Sequence, residues 1–198
     1  MRPLFAFGLG DGDTALYGLG TLGQGFAHLL DRTERGHMPL EFFTSDAMRS
    51  YIGAVNHTRG REFAESVAET LRMDGWLART AVNMTELGGS PELGDIDVLA
   101  WKPHATVQLI ECKRLQLART LAEIAEVCRR FRGEAKDELA RHIRRVDWLR
   151  SNRRNLNAIV GFEVEQEAID ARVVTNTHVP LTYLKALPLP PAKIGPLH

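Results

Sequence analysis

The sequence predicts an α/β fold: a central mixed β-sheet flanked by helices in an αβα core, with a glycine-rich and helical extension at the N-terminus. Three observations carry that expectation. Phe63, Val67 and Leu71 recur at helical spacing ahead of Gly75. Two short runs, 94–100 and 107–113, set single acidic residues among apolar ones and are separated by a break containing Pro103. The full order of one helix, three strands, long helices and two strands implies a sheet covered on both faces.

The extension occupies residues 1–56. Residues 8–25 are rich in glycine, and Gly18, Gly20 and Gly23 match the spacing G-x-G-x-x-G. A dinucleotide fingerprint requires a strand directly before the glycines inside a βαβ unit. Asp11, Gly12, Asp13 and Thr14 read instead as a turn, so the glycines read as a loosely packed arm. Residues 40–56 read as a short helix leading into the core.

The core spans residues 57–186. Its first helix starts at Arg59, with Ala64 and Ala68 flanking the apolar stripe and Gly75 as C-cap. Residues 76–82 read as a strand, followed by the two acidic strands. From Ala118 to about Ser151 the pattern is helical, with Leu121, Ile124 and Val127 before a break near Gly133 and Leu139, Ile143, Val146 and Leu149 after it. Residues 158–164 and 168–175 read as two further strands. The tail, 187–198, holds four prolines and reads as extended and peripheral.

Composition excludes several classes. A chain of 198 residues with 44% hydrophobic content buries a full core without disulfide staples. Its two cysteines, Cys112 and Cys128, have no zinc-ligand spacing, which points to a reducing, cytoplasmic setting. No apolar run is long enough for a signal peptide or a membrane span, so no membrane partner is expected. The formal net charge is zero, so any affinity for a polyanion must come from local distribution. From Lys102 to Arg154 there are fourteen basic and seven acidic residues, an excess of seven. Arg129, Arg130, Arg141, Arg144 and Arg145 lie in that stretch and, with Arg114, are candidate contacts to a nucleic-acid backbone. The competing reading is a solvated helix face carrying pairs such as Asp137 with Arg141.

The acidic strands carry the chemistry. Residues i and i+2 of a strand share a face, so Asp95 projects with Asp97, and Glu111 with Lys113. Paired as a hairpin, the two strands bring Asp97, Glu111 and Lys113 to one patch. Two carboxylates and an ammonium are costly to bury, yet they suit a divalent cation held beside a phosphate.

A glutamate-bearing helix, then Gly94-Asp95-Ile96-Asp97-Val98, then Ile110-Glu111-Cys112-Lys113, resembles the PD-(D/E)xK, or restriction-endonuclease-like, nucleases over roughly residues 59–175. Ile96-Asp97 stands where the literal motif has proline and aspartate. The resemblance implies that Asp97 and Glu111 bind Mg²⁺ or Mn²⁺ together with the Cys112 main-chain carbonyl. It makes Lys113 the catalytic lysine and Glu65, ten residues before Gly75, a third carboxylate from the helix. The implied activity is metal-dependent hydrolysis of phosphodiester bonds in DNA, with RNA as the second substrate. A catalytically inactive nucleic-acid-binding or protein-interaction module on the same fold is the alternative. A homodimer or a larger partner protein is compatible with either. The scattered histidines show no ligand pattern, and His142 reads as a core or surface residue of its helix.

Overall fold

The computed structural model describes residues 5–9, 12–16, 18–35, 38, 42–116, 118, 120–129, 131–132, 138–179, 181, 187–190 and 193–197. The chain divides into two compact units, Met1–Arg59 and Gly60–His198. In the first, β1 (Phe5–Leu9) and β2 (Gly12–Leu16) form an antiparallel hairpin, and α1 (Leu19–Glu34) follows. Gly12 to Thr14 are therefore strand rather than turn, and Gly20 and Gly23 lie inside a helix rather than a loose arm. The strand before the glycines pairs antiparallel with its neighbour, which is not the βαβ arrangement of a dinucleotide site.

α2 (Asp46–Met73) is one continuous helix, not the two expected around residue 57. Gly53 and Gly60 each cost about 1 kcal/mol relative to alanine, too little to break a 28-residue helix without a proline. It ends as expected at Gly75. The Gly75 N–H donates to the Arg72 carbonyl at 3.1 Å and the Trp76 N–H to the Leu71 carbonyl at 3.0 Å, a Schellman closure. Gly75 has φ +80 and open space around a hypothetical Cβ, so only backbone conformation opposes a side chain there. Gly75→Ala is expected to lower unfolding free energy by about 1 kcal/mol. Urea denaturation measures this, and an unchanged midpoint would contradict the capping role.

The second unit is built on a five-stranded sheet in the order β3 (Leu77–Asn83), β4 (Asp95–Lys102), β5 (Thr106–Lys113), β6 (Ile169–Thr175), β7 (Ile194–Gly195). The first three strands are an antiparallel meander; β6 and β7 add in parallel. The parallel return from β5 to β6 runs through α3 (Leu121–Arg129), α4 (Glu138–Ser151) and α5 (Arg154–Val160).

Alternation along the strands makes two cores. Val98, Ala100, Ile110 and Cys112 pack on Ala64, Val67, Ala68 and Leu71 of α2. Leu99, Trp101, Val107 and Leu109 join Leu139, Val146 and Leu149 of α4 on the other face. The sheet is thus covered by helices on both sides, as the element order implies.

Two further elements, both after β5, differ from expectation. Residues 154–160 form α5, not a strand: Leu156 and Val160, four apart, are both buried, and Gly161 closes the helix at φ +82. The buried positions follow helical spacing, which a short apolar run does not reveal on its own. The tail is not wholly peripheral, because Ile194 pairs with Val173 in β7 and Leu189 joins the core. No helix among the described residues is long and apolar enough to cross a membrane.

Candidate functional site

The chain reaches the site through a short 3₁₀ turn, Pro91–Leu93, and then Gly94. Gly94 has φ +73, and a Cβ there would also meet the Arg145 guanidinium at 3.3 Å, so a side chain is opposed by both backbone and neighbour. β4 and β5 then pair from Lys102 opposite Thr106 up to Val98 opposite Ile110. The next residues across, Asp97 and Glu111, are not partners in that ladder. On the other side, β3 pairs through Thr80 with Val98 and through Val82 with Ile96, again skipping Asp97. The skipped residue of β3, Ala81, has φ +52, a strained conformation for a non-glycine residue.

A side chain replaces the missing main-chain bond. The Cys112 N–H donates to Asp97 Oδ2 at 2.7 Å. Across from it, Glu111 is buried and enclosed by cations: Lys113 Nζ is 2.8 Å from Oε1, and Arg145 Nη1 donates to Oε2 at 2.6 Å. Arg145 Nε donates in turn to the Leu93 carbonyl at 2.6 Å. His142, one turn earlier on α4, is fully buried with Nδ1 3.8 Å from Glu111 Oε2. Neither of its ring nitrogens makes a hydrogen bond among the described residues, although the Leu109 main chain and Glu111 both favour its charged form.

Electrostatics divides the two carboxylates. Burial raises Asp97, the charge of Glu111 raises it further, and the Cys112 N–H only partly opposes them, so Asp97 titrates at about 6. Burial alone would raise Glu111 as well, but Lys113 and Arg145 outweigh it and hold its pKa below the usual carboxylate range. Burial pushes His142 down to about 4, against the pull of Glu111, leaving it neutral at pH 7. Cys112 is pushed up by burial and by both carboxylates, so its thiol stays protonated and only its main chain enters the site.

The structure brings Asp97, Glu111, Cys112 and Lys113 together. It does not bring Glu65. The carboxylate of Glu65 accepts from Arg72 at 2.7 Å and from Thr80 at 2.9 Å, and these hydrogen bonds hold its pKa below the usual range. Thr80 pairs with Val98, which faces α2, whereas Asp97 and Glu111 share the face of Leu99 and Leu109 toward α4. Glu65 is therefore on the opposite face of the sheet. Among the described residues, no group of three His, Cys, Asp or Glu side chains could hold a metal. A cleft of about 250 Å³ between α2 and the end of β6 also lies on the Glu65 face, away from the carboxylate pair.

The basic residues separate into two kinds. Arg114, Arg129, Arg141 and Arg144 are exposed, Arg129 with Glu126 at 2.9 Å. Arg145 is 4% exposed and lies inside the site, so it is not part of an outward basic face. Arg130, the break at Gly133 and the Asp137 partner of Arg141 lie outside the described residues.

Sequence reading missed Arg145 as a partner of Glu111, left His142 between core and surface, where the structure buries it, and missed Asn176. The Asn176 side chain accepts from the Leu115 N–H at 2.6 Å and donates to the Leu115 carbonyl at 3.1 Å, pinning the chain where it leaves β5. A signal for the first two exists. His142 falls between Leu139, Val146 and Leu149 on the apolar stripe of α4, and Arg145 flanks that stripe.

A family model described as "Anti-phage protein Upx-like" matches residues 1–197. No curated protein and no solved structure matches the chain.

Proposed function

We propose, from the premise that this chain belongs to the family of Upx-like anti-phage proteins, that it is a metal-dependent nuclease acting on nucleic acid, DNA before RNA, during phage defence. The observation that carries this reading is the interrupted sheet at Asp97. Two carboxylates and Lys113 meet there across one rung, and Asp97 resists ionisation because of its burial and of Glu111. Such a donor set of hard oxygens fits Mg²⁺ or Mn²⁺, whose charge would relieve the repulsion between the pair. When bound, that ion would supply an activated water and charge neutralisation at the scissile phosphate.

The chain's own residues have separable tasks. Asp97 and Glu111 offer carboxylate oxygens, and Cys112 a main-chain carbonyl. Lys113, 20% exposed on its side chain, is the cation of the site with access to solvent and so to a phosphate oxygen or the attacking water. Arg114, Arg129, Arg141 and Arg144 are exposed and would contribute backbone contacts whose strength falls with salt.

A second reading is favoured by one observation: both oxygens of Glu111 are already engaged by Lys113 and Arg145. A permanent ion-pair network of this kind suits an inactive nucleic-acid-binding module. Incubating the full chain with plasmid and with single-stranded oligonucleotides under Mg²⁺ or Mn²⁺ separates the two. Cleavage that disappears in Asp97→Ala and Lys113→Ala, both still folded by circular dichroism, is expected. Binding without cleavage under either ion would establish the inactive module instead.

A further inference from the structure

We infer that Arg145 is a positioning residue of this site, acting through Glu111 and not through the nucleic acid. The inference rests on the metal-dependent reading above and adds a residue to it.

Arg145 uses its guanidinium as a two-ended brace. Nη1 holds Glu111 Oε2 at 2.6 Å, and Nε holds the Leu93 carbonyl, also at 2.6 Å. Leu93 lies two residues before β4, whereas Glu111 lies on β5. The brace therefore spans the entry to one carboxylate-bearing strand and the carboxylate of the other. It does so at the level where main-chain pairing between those strands has stopped, beyond Val98 opposite Ile110. A planar guanidinium offers fixed, diverging donors; a lysine ammonium in the same place would carry the charge but not both directions. With 4% of its surface exposed, Arg145 is not available to a phosphate backbone.

The groups around Glu111 leave this role to Arg145. Lys113, on the same strand, takes the other oxygen. His142 on α4 is neutral at neutral pH and stands 3.8 Å away, outside hydrogen-bonding distance. Partners that orient metal-ligating carboxylates typically change metal affinity or activity about 10–100-fold when replaced.

The test compares wild type with Arg145→Lys in the full chain. Mn²⁺ binding is followed by calorimetry, and oligonucleotide binding by fluorescence anisotropy in EDTA across a salt series. The expected result is Mn²⁺ affinity weakened about tenfold or more, with kcat reduced to a similar extent. Oligonucleotide affinity, its salt slope and KM are expected to stay at wild-type values. Unchanged Mn²⁺ affinity overturns the inference. So does weaker oligonucleotide binding with a salt slope smaller by about one, which marks a direct phosphate contact. Wild type that binds no Mn²⁺ and cleaves nothing overturns the nuclease reading and this inference together. Should Arg145→Lys fail to fold, Mg²⁺ titration of ¹⁵N-labelled wild type reads the same contact. A solvent-protected arginine Nε–H that shifts with Mg²⁺ supports the brace, and the lack of any responding Nε–H overturns it.

Discussion

Asp97→Asn is expected to stabilise the metal-free protein by about 3 kcal/mol at pH 8 and, on the function proposed above, to eliminate cleavage. The carboxyl titrates at about 6 in the folded chain, against an ordinary value of 3.8. Each unit of that displacement corresponds to about 1.4 kcal/mol spent on keeping the group ionised in the fold. The sign follows from proton binding. Because the folded chain holds this proton more tightly than the unfolded one, the contribution of Asp97 is fully present below 3.8 and is lost as pH climbs through about 6. Asparagine is neutral throughout and keeps an oxygen for the Cys112 N–H, so the gain exists above about pH 6 and vanishes near pH 4.

His142 runs the other way. Its folded value of about 4 lies below the ordinary 6.5, so its contribution is complete above 6.5 and is lost as pH falls toward 4. The two groups oppose each other in wild type across that window, and Asp97→Asn leaves the His142 loss uncompensated. Urea denaturation of both proteins in EDTA at pH 4, 6 and 8 measures the difference directly. A variant less stable than wild type at pH 8 would contradict this assignment of the buried charge.

Arg145→Ala is expected to cost about 3 kcal/mol, because one oxygen of the buried Glu111 carboxylate and the Leu93 carbonyl lose their donor together while Lys113 keeps the other oxygen. Arg144→Ala, one residue earlier and exposed, is expected to stay within about 0.5 kcal/mol of wild type. The decisive comparison adds Glu111→Gln to Arg145→Met. If the loss comes from an uncompensated charge, the double variant should recover a large part of what the single Arg145→Met variant loses. Additive losses in denaturation midpoints would assign the effect to packing of the arginine side chain instead.

The strands that carry the site were legible because their evidence is local. Acidic residues among apolar ones, Pro103 in the break and Gly94 at the entry all lie within twenty residues of one another. Gly75 was legible for the same reason. What escaped was set by distance. Arg145 meets Glu111 from 34 residues away, and a charge count treats every arginine as solvated. Glu65 was placed with the carboxylates because its position along the helix fits, but linear order does not say which face of a sheet a helix covers. α5 stands where a strand over 158–164 is expected, because a short apolar run does not show by itself whether its buried positions follow helical spacing.

The skipped rung at Asp97 also constrains how this protein can change. Elsewhere in β4, a stronger strand former would simply improve the sheet. At position 97, a side chain that seals the gap with apolar packing removes the acceptor for Cys112, and one that accepts without ionising silences the pair. Ala81, held at φ +52, would be relaxed by glycine, yet a freer backbone there would loosen the strand facing Asp97. Routes toward a more robust sheet and routes that retain two facing carboxylates thus diverge at one residue. Selection for thermal robustness alone should therefore erase position 97 first.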